Sequence, residues 1–382
     1  MKILLFGVGT TNKGAELMMY SILREIERNH PDSEVFIPAD KISQGLDYVK
    51  TPLKLNTCRV RFVDKIIKIF HINSILRQLH LPQISQELSV PTGIEYFIDG
   101  SGFAFSDQWN LSDSRVEYWR NLLRKLFEQK CKIVFLPQAF GPAELPSTKK
   151  VFSVLNDYAS VIMTREKVSC EYIEKSGVVD MSKVKIFTDF TSLVDGTFPK
   201  GLATLKNGIC VIPNLRMIDK GIVTKEDYKK LLVSIIEHGK QSGHMVYLLN
   251  HEGKADEDFA FELKNDLADG IEVVTGLNAL EVKGLISTAY IVITSRFHGL
   301  ASALNSCVPC LATSWSHKYK ELFADYRMND CVLPLNDLDK AINMVDVFLS
   351  ESYNQKIRVH LSEQLPVIKK QTQEMWNYIW NL

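Results

Sequence analysis

Charge of one sign is missing from this chain: its 382 residues carry 45 Lys and Arg against 45 Asp and Glu. Nucleic-acid-binding domains normally show a basic surplus, so that class is excluded as the main activity, whereas a local basic site for an anion is not. Long hydrophobic runs are missing as well. No stretch approaches the roughly 18 apolar residues needed to span a bilayer. The opening, MKILLFGVGTTNKGAE, has a short apolar run broken by glycine and no small-residue cleavage site, so it does not read as a signal peptide. A disulfide framework is the third absence. Cys58, Cys131, Cys170, Cys210, Cys307, Cys310 and Cys331 are odd in number and mostly sit in apolar runs. They read as reduced core thiols, which places the chain in the cytoplasm. What is present is 46% hydrophobic residues, enough for a sizeable core, on a length that fits two domains of roughly 150–200 residues.

Short runs rich in Val, Ile and Phe alternate with helical patterns. KILLFGV, EVFIPA, EYFIDG, CKIVFLPQ and SVIMTRE read as strands, and the segments at 15–30 and 115–130 carry helical spacing. The rhythm restarts after position 200 with GICVIPN, MVYLLNH, IEVVTG and YIVITS between further helices. This predicts an α/β fold of two doubly wound, Rossmann-like domains with a crevice between them. A Gly- and Pro-bearing stretch without periodicity, 193–208, marks the break. The expected division is 1–197, 198–364 and a C-terminal helix at 365–382 that packs back on the first domain. There is no internal repeat and no low-complexity segment.

In such folds ligands sit beyond the carboxyl ends of strands, so the residues there matter most. The first strand runs into Gly7-Val8-Gly9-Thr10-Thr11-Asn12-Lys13-Gly14. A dinucleotide fingerprint needs glycine where Asn12 stands, and a Walker loop needs the order Gly-Lys-Ser/Thr, so both cofactor readings fail. What survives is a polar turn before a helix N-terminus, suited to an anion or to sugar hydroxyls, or simply a tight connection. Two more polar turns follow strands: Asp99-Gly100-Ser101-Gly102, which runs on to Asp107, and Gln138-Ala139-Phe140-Gly141-Pro142. Arg165 follows one buried strand, and Arg296 follows another with His298 two positions on. An arginine at such a place costs desolvation unless an anion or acid partner awaits it. Two guanidinium forks suit a small ligand bearing carboxylate and phosphate; a structural ion pair, for Arg165 with Glu166, is the alternative. Cys307-Val308-Pro309-Cys310 has the C-x-x-C spacing but no second pair, so it reads as structural rather than a metal site. From Cys58 to Leu81, five basic residues (Arg59, Arg61, Lys65, Lys68, Arg77) stand against Asp64 alone. That is either a membrane-surface helix or a solvated one.

Taken together, these residues resemble the polysaccharide pyruvyl transferase family. The likeness runs through Asn12-Lys13-Gly14-Ala15-Glu16, the glycine turn at 100–102, Gln138 to Pro142, and Arg165-Glu166 with Ser169. It continues through the Asp189 region, His251, and Ser295-Arg296-Phe297-His298-Gly299 followed by Ala303, Pro309 and Lys318. Departures stand at Asp99-Gly100-Ser101-Gly102, where the family usually runs three glycines, and at Ala15, where aspartate is usual. The resemblance implies a glycosyltransferase-B-like pair of domains and transfer of pyruvate from phosphoenolpyruvate to a sugar of a surface-polysaccharide precursor as a ketal, with no organic cofactor and no metal. It places Arg165, Arg296, Phe297, His298 and Lys318 at the donor, with Arg165, Arg296 and His298 catalytic. The acceptor side would draw on Asn12, Gly14, Glu16, Gly100, Ser101, Gly102, Asp107, Gln138 and His251. Asp107 and Glu16 are the candidates for the base that takes the hydroxyl proton. The acceptor would be a saccharide, lipid-linked if the basic stretch at 59–77 meets a membrane surface. Two rival classes remain: a nucleotide-sugar transferase on the same architecture, and a non-catalytic glycan- or anion-binding module.

Overall fold

A computed structural model describes residues 1–59, 88–267, 270–314 and 316–382. The chain divides into two compact units: 1–10, 18–188 and 374–382 form the first, and 11–17 with 189–373 form the second. The division falls at Thr188 and Asp189, so the 193–208 stretch, read from sequence as the break, belongs to the second unit. From position 60 onward, the basic stretch at 59–77 lies outside the described residues.

Among the described residues, the first unit holds seven parallel strands: β1 (Lys2–Phe6), β2 (Glu34–Pro38), β3 (Lys54–Cys58), β4 (Tyr96–Asp99), β5 (Lys132–Gln138), β6 (Val161–Thr164) and β7 (Val184–Ile186). Their spatial order is β3-β2-β1-β4-β5-β6-β7. β1, β4, β5 and β6 are buried almost throughout, which explains why they read as continuous apolar runs rather than alternating ones. Among the crossover helices are α1 (Lys13–Asn29), α2 (Asp113–Phe127), α3 (Pro146–Tyr158) and α4 (Lys167–Ser176). An aromatic cluster of Phe6, Phe97, Phe105, Trp119, Phe135 and Phe140 fills the core between sheet and helices.

The second unit repeats the principle with, among the described residues, five parallel strands: β8 (Ile209–Ile212), β9 (Val246–Leu249), β10 (Glu272–Val274), β11 (Ile291–Thr294) and β12 (Cys310–Ala312), ordered β10-β9-β8-β11-β12. Its helices are α5 (Arg216–Asp219), α6 (Lys225–Gln241), α7 (Gly253–Asn265), α8 (Ala279–Ile286), α9 (Phe297–Asn305), α10 (Lys318–Asp325), α11 (Leu338–Leu349) and α12 (Glu351–Trp380). α8 starts at a capping box in which Asn278 and Glu281 bond each other's backbone N–H. α12 runs unbroken through Pro366, so the boundary expected at 364/365 falls inside one helix. Its last residues belong to the first unit, where the Trp380 ring lies 4.7 Å from His30 and 5.4 Å from Tyr96.

In each sheet the strand order reverses once, between β1 and β4 in the first unit and between β8 and β11 in the second. Crossovers leave in opposite directions at that point, and a ligand finds room beyond the carboxyl ends of the two strands. The turn at 100–102 follows β4, and Ser295-Arg296-Phe297-His298 follows β11. All seven cysteines are unpaired, and burial pushes the Cys58, Cys131, Cys210 and Cys331 thiols up to about 12, so they are inert at neutral pH.

Candidate active site

In the first unit, Asp99 ends β4 fully buried. Its Oδ1 accepts the Ser101 N–H at 2.8 Å and the Gln138 side-chain N–H at 3.4 Å. Asp99 Oδ2 and Gln138 Oε1 are buried without a hydrogen-bond partner. Burial raises the Asp99 carboxyl to about 6. Gly100 is glycine for packing: a Cβ there would come within 2.6 Å of the Val8 side chain. Gly102 is roomier, its nearest neighbour being Met18 Cε at 3.6 Å from such a Cβ. Arg165, 5% exposed, sends Nη2 toward the Gly102 carbonyl at 3.4 Å. Glu166 takes the Ser169 hydroxyl, and Ser169 also bonds the backbone of Phe140, fixing the turn at 138–142.

Two of the residues considered as the base are engaged elsewhere. The Asp107 carboxylate accepts N–H groups from Glu144 and Leu145 and holds the approach to α3. Glu16, fully buried in the second unit, accepts Lys13 Nζ at 2.8 Å and the Ala279 N–H at 3.2 Å. The helix N-terminus expected to greet an anion is likewise occupied. Asn12 Oδ1 accepts the N–H groups of Gly14 and Ala15, capping the first turn of α1.

The second unit assembles the denser cluster. Arg296 points Nε at Asp256 Oδ2 (2.9 Å), while Nη2 pairs with the same oxygen and Nη1 with Glu252. Burial lowers the guanidinium to about 10, leaving it charged at neutral pH. The loop carrying Arg296 is fixed from behind. Ser295 O accepts Asn214 Nδ2 and Tyr319 OH, both at 2.7 Å, and its hydroxyl bonds Tyr228 and Thr313. Phe297 stacks edge-on to His298, and Lys318 Nζ sits 5.6 Å over the Phe297 ring, a cation–π distance.

His298, 9% exposed in the first turn of α9, has Nε2 3.5 Å from Asp189 Oδ2. Gly14 lies against its other nitrogen: a Cβ on residue 14 would stand 2.4 Å from Nδ1. His251, just past β9, is buried, and Nδ1 has no hydrogen-bond partner. Its burial, with the positive charge of Arg296, His298 and Lys13 nearby, drives its pKa well down, so the ring is neutral. Thus Arg296, Phe297, His298, Lys318, His251, Asn12, Gly14 and Glu16 belong to the second unit. Gly100, Ser101, Gly102, Asp107, Gln138 and Arg165 belong to the first. Sequence reasoning missed Glu252 and Asp256, the acids on Arg296, and Asn214 and Tyr228, which brace its loop. Of these, Asn214 and Glu252 carried a signal, since Asn214 ends one predicted strand and Glu252 directly follows another.

The family model for polysaccharide pyruvyl transferases matches residues 12–317. Among solved structures, HepE from Anabaena in complex with UDP and glucose is similar at 11% identity and a TM-score of 0.61, with both chains covered completely. UDP-GlcNAc 2-epimerase from Neisseria meningitidis bound to UDP-GlcNAc is similar at 10% identity and a TM-score of 0.59, again with complete coverage of both. At such identities the likeness shows the fold alone, that of the glycosyltransferase-B class. A comparison with curated protein sequences finds no match.

Proposed function

The chain belongs to the polysaccharide pyruvyl transferase family, and from that premise we propose that it moves pyruvate from phosphoenolpyruvate onto two hydroxyls of a saccharide, forming a ketal and releasing phosphate. The observation that carries the reading is the Ser295-Arg296-Phe297-His298 segment, set at the strand-order reversal of the second unit's sheet inside the stretch the family model matches.

The chemistry asks for three things. A proton must reach the methylene carbon of the enol ester, a hydroxyl must attack the adjacent carbon, and the phosphate C–O bond must break as a second hydroxyl closes the ring. Of the two hydroxyl protons, one is balanced by the proton that makes the new methyl group and the other leaves with phosphate. We assign His298 to the proton on the methylene carbon. Arg296, Lys318 and Arg165 are assigned to the donor's carboxylate and phosphate, where a fixed charge in a water-poor site is worth several kcal/mol. The acceptor's contacts are assigned to Gly102, Ser101 and Gln138 of the first unit. With Asp107 and Glu16 held in structural bonds, neither is retained as the base.

The test is product analysis with a panel of saccharide acceptors. Phosphate release from phosphoenolpyruvate with a matching mass gain on the sugar is expected. Release of UDP from a sugar nucleotide under the same conditions would instead make the chain a sugar-nucleotide transferase on the same fold, and binding without turnover of any donor would make it a glycan- or anion-binding module.

A further inference from the structure

The segment between Gly102 and α2 carries one short 3₁₀ turn, Asp107–Trp109, and is tightly held. From 102 to 107 it runs beside the turn at 138–142. The Gly102 carbonyl accepts the Ala139 N–H at 3.1 Å, the Phe105 carbonyl accepts the Gly141 N–H at 3.0 Å, and the Asp107 N–H donates to the Pro142 carbonyl at 2.9 Å. Phe105 is fully buried, its ring stacked on Phe140. The 3₁₀ turn is braced in the same way. Ser106 Oγ accepts the Gln108 N–H at 3.2 Å, and the Ser106 carbonyl accepts the Trp109 N–H at 3.1 Å. Asn110 closes the turn in the left-handed region, φ 43°, which asparagine tolerates. Gly141 makes room for this cap, since a Cβ there would collide with the Ser106 hydroxyl.

That frame sets Trp109 at the surface, 41% exposed. Its ring meets Phe103 edge-on with centroids 5.6 Å apart. Phe103 directly follows Gly102, so the indole is tied to the turn at the strand-order reversal of the first unit's sheet. A flexible loop would fold such a ring under to bury its apolar area. A braced turn keeps it presented, and little ordering entropy is then lost when a ligand lies on it.

The neighbouring chemistry narrows what that ligand is. Gln108 and Asn110 are exposed on either side of Trp109, and both are amides that donate and accept. Between Phe103 and Ser114 the sequence has no Lys, Arg or His, and its acids are Asp107 and Asp113. Asp107 is engaged by the Glu144 and Leu145 N–H groups, and Asp113 pairs with Lys150 at 3.0 Å. The segment therefore offers an anion no positive charge of its own. A pyranose ring presents C–H groups on a face and hydroxyls around its edge, which matches an indole flanked by amides.

We propose that Trp109 is a stacking platform for an uncharged pyranose ring of the saccharide, with Gln108 and Asn110 bonding its hydroxyls. The proposal rests on the reading that gives the acceptor's contacts to the first unit.

Binding can be read without any donor, which separates this proposal from the transfer reaction. The chain has five tryptophans, so in protein labelled with 15N-tryptophan the Trp109 indole N–H signal is assigned by its loss in Trp109→Phe. The probes are the methyl β-D-pyranosides of glucose, galactose, mannose and N-acetylglucosamine, with UDP as a comparison. At least one glycoside is expected to shift the Trp109 signal. Trp109→Ala should weaken its binding about 3–10-fold, while Trp109→Phe, which keeps a flat ring, should stay within about 3-fold of wild type. A Trp109 signal that no glycoside moves overturns the proposal, as does wild-type binding by Trp109→Ala. A signal moved by UDP and by none of the glycosides would make the indole a nucleobase platform instead. In kinetics, Trp109→Ala should raise the acceptor KM by the same factor with donor KM and kcat nearly unchanged. Ketal formation with an unaltered acceptor KM would sink the platform and leave the proposed function standing. Glycoside binding at Trp109 without turnover of phosphoenolpyruvate would do the reverse.

Discussion

Arg296 shows how a single side chain can be read in two ways. Its guanidinium is paired to Asp256 and Glu252, which is the structural ion pair that burial of an arginine demands. The two acids are not equivalent, however: the Asp256 side chain is 4% exposed and also accepts the Leu215 N–H, whereas that of Glu252 is 29% exposed. A donor anion that uses Arg296 must therefore compete with Glu252 rather than Asp256. Arg296→Lys keeps a charge but loses the fork, and kcat/KM for the donor should fall about 10–100-fold. Glu252→Gln removes the competitor and should lower donor KM several-fold. Steady-state kinetics of both variants at saturating acceptor checks this, and an Arg296→Lys enzyme with wild-type donor kinetics would leave Arg296 with a structural role only. At this scale the sequence was legible in part. Arg296 and His298 stand out because a charged residue just past a buried strand is costly without a purpose. Glu252 meets the same rule, standing just past MVYLLNH, but nothing marks its partner 44 positions away; Asp256 does not stand out, because nothing in a helical pattern marks which exposed-looking acid turns inward.

At the scale of elements, the buried strands announced themselves, since a parallel strand covered on both faces must be apolar throughout. β3 and β7 were missed for the converse reason. β3, KLNTC, lies at one sheet edge with only Cys58 buried, and β7 is three residues long. In the 193–208 stretch glycine marks more than a loop, because it also serves close packing. A Cβ on Gly284 in α8 would fall 2.2 Å from the Thr197 carbonyl carbon, and one on Gly196 would fall 2.2 Å from the Gly284 nitrogen. The Thr197 N–H also bonds the Leu280 carbonyl at 2.9 Å. Backbone meets backbone there, and neither side can swing aside as a flexible side chain would. Gly284→Ala should destabilise the second unit by about 1–3 kcal/mol despite the usual helix preference for alanine. Gly270→Ala, with open space around it, should stay within about 0.5 kcal/mol of wild type. Calorimetric unfolding of the two variants compares them directly, and equal stabilities would mean the 196–198 segment is not seated on α8 as described.

For the whole molecule, zero formal charge hides an uneven distribution along the chain. Between 59 and 77 the sequence places Arg59, Arg61, Lys65, Lys68 and Arg77 against Asp64 alone. Among the described residues no helix is long and apolar enough to cross a membrane. The charge of this stretch makes electrostatic, reversible attachment the expectation to test. Each Lys or Arg close to an anionic surface contributes about 1 kcal/mol, so five are enough to hold the protein loosely where a lipid-linked saccharide would be found. The attraction reaches only about a Debye length, roughly 8 Å at physiological salt and 3 Å at 1 M, so salt should release it. Cosedimentation is expected to show binding to vesicles containing anionic lipid at low salt, little at high salt, and little to neutral vesicles at either. A variant carrying Lys65→Glu, Lys68→Glu and Arg77→Glu should lose the anionic binding while keeping turnover of a soluble acceptor. Equal binding of wild type to both vesicle types, or unchanged binding by the variant, would assign this stretch to an ordinary solvated surface and make a soluble saccharide the natural acceptor.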